Sequence, residues 1–163
     1  MKVKRIMVPL DGSVLAERAL APGAELARDA SATLMLVRAV EAPIMLGSDP
    51  TEAQVTVVRE AEAYLEEQAR RLRREGVARV ETSVWYGPAA PSLVEAAHRR
   101  QVDLIVMSSH GRSGLGRLVL GSVAESVLRA TSTSILLVRA PSAPVETPAR
   151  TTEPREAKES LNV

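Results

Sequence analysis

The chain of 163 residues contains no cysteine. That excludes disulfides, thiolate nucleophiles and cysteine-ligated metals, and it fits a reducing compartment. Phenylalanine is absent too, and there are only one tryptophan and two tyrosines. Sites for single-stranded nucleic acid stack bases on aromatic rings, and this chain lacks such platforms. The formal net charge is +1, so nothing global draws the chain to nucleic acid or to a membrane surface. No apolar run approaches the roughly 20 residues of a membrane span. The run after the basic N-terminus is about five residues, short of a signal peptide's core. Two histidines without cysteine make zinc ligation implausible. The absences together predict a cytoplasmic soluble protein with no nucleic-acid or membrane partner.

What is present suits one α/β domain. Hydrophobic residues make up 45% and charged residues 25% of the chain, ordinary for a soluble globule. Strand signals fall at 3–10, 77–86, 102–109 and, most densely, at "TLMLVRAV" (33–40) and "SILLVRA" (134–140). Helical spacing follows Ser13, where Pro22-Gly23 predicts a kink or break. A second stripe runs through Val58, Ala61, Leu65, Ala69 and Leu72, with Gly76 as a stop signal. Arg70, Arg71, Arg73 and Arg74 near that helix end read as a solvated terminus rather than an RNA patch. A third helix follows "YGP", and a fourth runs from Ser122 to about Ala130, after a helical turn at 115–120. Five strands alternating with helices imply a parallel sheet covered on both faces. After Ala140 the composition turns to Pro, Thr, Glu and Ala. Residues 1–140 therefore read as the domain and 141–163 as a flexible tail.

Residues 108–126, "SSHGRSGLGRLVLGSVAES", carry the most information. Ser122 and Glu125 have capping-box spacing, which places a helix start at Ser122. Unpaired N–H groups at such a start favour anions, and glycine lets a phosphate approach the backbone. Gly111, Gly121, Ser122 and the next amides, with Arg112 and Arg117, form one reading, a phosphate cradle. A glycine-rich connector is the other, and composition does not separate them. Gly111, Gly114 and Gly116 do not fit G-x-G-x-x-G, and no P-loop is present. Asp11, in the turn after the first strand, suits either a ribose or metal contact or a plain turn. No G-x-S-x-G elbow equips Ser13 or Ser122 as a nucleophile. A phospho-receiver domain would need an aspartate after strand three and a lysine after strand five, where this chain has "WYGP" and "RAPS".

These residues resemble the universal stress protein family. Its signature after strand four is a glycine, two residues, a glycine, nine residues, then glycine with serine or threonine. Nine residues separate Gly111 from Gly121-Ser122 here, while Ser108 stands at the first glycine. "RIMVPLDGS" and "YGPAAPSLVEAA" resemble other family segments. The resemblance implies an open five-stranded parallel sheet of order 3-2-1-4-5, with helices on both faces, and ATP binding. It implies adenosine flanked by Pro9 and Asp11, with Leu10 and Ser13 adjoining. Asp11 would stand near the ribose and a possible Mg²⁺. Ala39 and Val40 would meet adenine, and Met107 and Ser108 the base and ribose. Gly111, Arg112, Gly121, Ser122 and Val123 would meet phosphates; His110, beside Gly111, reads either as a further phosphate contact or as an exposed loop residue. The expected function is nucleotide-dependent regulation in a stress response, with at most slow ATP hydrolysis and an unidentified protein partner. A dimeric scaffold of the same fold without nucleotide is the alternative. The apolar strand 134–140, at the sheet edge in that order, predicts a homodimer.

Overall fold

Alternation in the strands decides the layering. Side chains along a strand leave opposite faces in turn. In β1 (Arg5–Pro9), Ile6 and Val8 face one way and Met7 the other. In β2 (Thr33–Val40), Leu34 and Leu36 oppose Met35 and Val37. All seven side chains are fully buried, as expected of strands covered on both faces.

The computed structural model describes residues 2–42, 49–109 and 120–139. The remaining elements are α1 (Val14–Glu17), α2 (Leu20–Asp29), α3 (Pro50–Arg74), β3 (Val80–Tyr86), α4 (Ala89–Arg99), β4 (Leu104–Ser108), α5 (Ser122–Ala130) and β5 (Ser134–Val138). The five strands are parallel in the order β3-β2-β1-β4-β5, as the resemblance implied. Met7 pairs with Met35 on one side and Ile105 on the other, which sets the central register. On one face α2 and α3 bury Leu20, Ala24, Ala27, Leu65, Ala69 and Leu72 against the sheet. On the other, α4 and α5 bury Leu93, Ala96, Ala97, Ala124 and Val127.

Helix ends follow local chemistry. Asp49 caps α3 by accepting from the Thr51 N–H at 2.8 Å, and Pro50 occupies the first turn, where its missing donor costs nothing. The basic end of α3 is used locally. Arg71 pairs with Glu75, and Arg73 pairs with Glu66 and donates to the Val80 carbonyl.

The first helical segment corrects one expectation. Its break lies at Arg18–Ala19, upstream of Pro22-Gly23, which sit inside α2. A proline removes the bond to the carbonyl four residues before it and crowds that carbonyl. For Pro22 that residue is Arg18, so the interruption appears there, and Pro22 itself falls in the first turn of α2. The capping box is corrected as well. Gly121 is the N-cap of α5 and Ser122 the first helical residue, while Glu125 pairs with Arg129 at 2.8 Å. Among the described residues no helix is long and apolar enough to cross a membrane. The tail at 141–163, residues 115–119 of the expected helical turn, and Ala140 of the expected last strand lie outside the described residues.

Candidate functional site

Strand order reverses between β1 and β4, because β1 is followed in sequence by β2 on one side while β4 lies on its other side. Loops leaving the carboxyl ends of two such strands diverge and open a crevice. A cleft of about 340 Å³ lies there, in the size range of small-molecule sites.

The cleft gathers residues far apart in sequence. Pro9, Leu10 and Asp11 come from the end of β1, Ala39 from β2, and Met107 and Ser108 from β4. Gly121, Ser122 and Val123 enter at the start of α5. All nine were singled out from the sequence. Ala16, Ala89, Leu93 and Ala124 also line it and were not. Leucine, methionine and alanine carbons make one side apolar, suited to a flat heterocycle. The other side is the first turn of α5.

Among the described residues that turn has no side-chain cap. The first N–H groups of a helix have no intrahelical acceptor, and the Gly121 cap has no side chain to offer one. Gly121 is held by its own N–H, which donates to the Ser109 carbonyl at 2.7 Å, and its carbonyl accepts from the Glu125 N–H. The amides of Ser122 and Val123 thus stand at the cleft wall, where the helix dipole favours an anion.

The Asp11 turn also lines the cleft. Asp11 Oδ1 accepts from the Ser13 N–H at 2.8 Å, and Gly12 adopts φ 82°, the left-handed region that glycine tolerates. Ser13 caps α1 by accepting from the Ala16 N–H at 3.1 Å and does not line the cleft. Val40 is buried at the end of β2 and does not line it either; its carbonyl accepts from the Gly87 N–H. The turn role of Asp11 is therefore real, and the same residue lines the cleft. Ser108, buried at the end of β4, leaves the cleft open. His110, Gly111 and Arg112 lie outside the described residues, as do Gly114, Gly116 and Arg117. His98 is exposed on α4. Trp85 packs beside the α4–α5 core, with its indole N–H on Ser83 and Arg99 over its ring.

Residues 2–139 match the sequence profile of the universal stress protein family. The chain belongs to that family. A universal stress protein of Thermus aquaticus is 33% identical over 137 residues, covering 83% of this chain and 98% of its own. One from Methanocaldococcus jannaschii is 29% identical over 142 residues, covering 85% and 83%. Among solved structures, a universal stress protein in complex with cAMP superposes with a TM-score of 0.67 at 27% identity, covering 85% of this chain and 98% of its own. The family accounts for the strand order and for the position of the crevice at the β1/β4 reversal.

Proposed function

We propose that this universal stress protein binds an adenine nucleotide, ATP in the first instance, in the β1/β4 cleft and acts in the stress response through nucleotide-dependent conformation or partner binding. The carrying observation is the pairing, in one crevice, of an apolar wall with the first turn of α5, which has no side-chain cap among the described residues. A base needs the first and a phosphate the second. The relative solved with cAMP supports an adenine nucleotide as the ligand class. In this reading Ala39, Met107 and Ser108 meet the base and ribose, Asp11 the ribose, and Gly121, Ser122 and Val123 the phosphates. His110, Gly111 and Arg112 extend the phosphate contacts.

Magnesium fits only as a companion of the phosphates. Among the described residues no group of three or more His, Asp or Glu stands ready for a metal. Asp11 is a single carboxylate with one oxygen already engaged by Ser13. Mg²⁺ characteristically binds one or two carboxylates together with substrate phosphates. A homodimer through β5 and a tail separate from the 1–140 domain complete the proposal.

Calorimetric titration of ATP, ADP and AMP tests the site. Gly121 has φ −59° and ψ 146°, a conformation that valine also adopts, so Gly121→Val narrows the cleft without forcing the backbone. We expect this variant to bind at least ~10-fold more weakly, with unchanged thermal unfolding. No heat with any nucleotide would favour the dimeric scaffold. Undiminished binding in a folded variant would remove the α5 turn from the site.

A further inference from the structure

The turn bearing Asp11 has little hydrophobic anchorage of its own. α1, which it leads into, has four residues and buries none of them. Segments with few buried contacts open most easily. The turn is instead braced from the sheet face opposite the cleft.

Arg38 precedes Ala39 on β2, so its side chain leaves the face that Ala39 does not. A β-carbon at Gly12 would lie 3.5 Å from both Nη1 and Nη2 of Arg38, so the guanidinium fork lies against the turn. The Arg38 guanidinium carbon stands 5.2 Å from the centroid of the Tyr64 ring on α3, within cation–π range. Tyr64 Oη donates to Glu17 Oε1 at 2.8 Å, and Glu17 closes α1, the helix that Ser13 caps. The contacts form a ring from turn to β2, to α3, to α1 and back. α3 does not need this ring to pack, because Ala61, Leu65, Ala69 and Leu72 already bury it.

We infer that Arg38, braced by Tyr64 and Glu17, is a positioning residue for the Asp11-Gly12-Ser13 turn. It fixes where the Asp11 carboxylate stands at the cleft and thereby the affinity for the ribose-bearing half of the ligand. The affinity clause rests on the nucleotide reading above; the positioning of the turn does not.

Two measurements test it. Amide hydrogen exchange is followed in the ligand-free protein and its Arg38→Met, Arg38→Lys and Tyr64→Phe variants, and AMP and ATP are titrated into each. Exchange at Ser13, whose N–H bonds to Asp11, should rise ~10-fold in Arg38→Met, with amides of β2 and β4 unchanged. Arg38→Lys, which keeps the cation over the ring, should restore part of the protection. Nucleotide affinity should fall roughly 3–10-fold in Arg38→Met but show no further loss when the change is made in an Asp11→Ala background. Unchanged Ser13 exchange, or an equal affinity loss with and without Asp11, would overturn the proposal. Should Arg38→Met disturb the core amides, Tyr64→Phe carries the same test, since it keeps the ring and removes only the Glu17 bond. Failure of the wild type to bind any nucleotide would sink the nucleotide reading, and Ser13 exchange would then decide the bracket alone.

Discussion

A β-carbon on Gly23 would stand 2.8 Å from Cγ2 of Val8, a separation that real side chains do not occupy. Gly23 therefore sets how closely α2 lies on β1, directly behind the strand that delivers Pro9, Leu10 and Asp11 to the cleft. Two effects oppose each other in Gly23→Ala. Alanine favours the helix by about 1 kcal/mol, and overpacking a buried contact costs about 1–3 kcal/mol. Because Val8 and Gly23 are both buried, overpacking should win, and urea unfolding should show net destabilisation. In a Val8→Ala background the clash is gone, and the same Gly23→Ala step should become stabilising by about 1 kcal/mol. A step of the same sign in both backgrounds would refute the close-approach role.

At the sheet edge, Leu136 of β5 is 40% exposed, while Ile135 and Leu137 turn toward the α4–α5 core. An apolar edge strand pairs readily with another chain, and a lysine there discourages pairing. The wild type should sediment as a dimer at micromolar concentration, and Leu136→Lys should raise its dissociation constant at least ~10-fold. A wild-type monomer under those conditions would remove β5 as an interface.

The layering was legible because it is written at short range. The apolar runs "RIMVP" and "TLMLVRAV" and the stripe from Ala61 to Leu72 each depend on neighbours within a few residues, and their succession along the chain implied a sheet covered on both faces. The strand order came through the family resemblance, not through periodicity. The helix break was misplaced because proline acts on the carbonyl four residues behind it, which moves the visible interruption to Arg18. The cap of α5 was misassigned because Ser122 and Glu125 have capping-box spacing while the chain turns one residue earlier, at Gly121. The missed lining residues Ala16, Ala89 and Ala124 contribute by being small, and alanine carries no chemical signal in sequence. The brace was hidden for another reason: Glu17 and Tyr64 are 47 residues apart and meet only because α3 crosses the same sheet face that α1 approaches.

Tyr64 offers a test of that brace by titration. Its phenol is held above the ordinary tyrosine range, first by burial, which disfavours the phenolate, and then by its hydrogen bond to Glu17, which uses the proton. In the unfolded chain a tyrosine ionises near pH 10. Below that, both states hold the proton, and the contribution to stability is fully present. As pH rises through about 10, the unfolded chain loses its proton while the folded chain keeps it, so unfolding releases a proton and stability falls. Phenylalanine cannot ionise, so Tyr64→Phe should lack this component. Urea unfolding of the two proteins from about pH 8 to 11 should show the stability of the wild type falling relative to the variant as pH rises. A difference that stays constant across that interval would mean that Tyr64 does not hold its proton more tightly in the folded protein, and the Glu17 bond would lose its part in the brace.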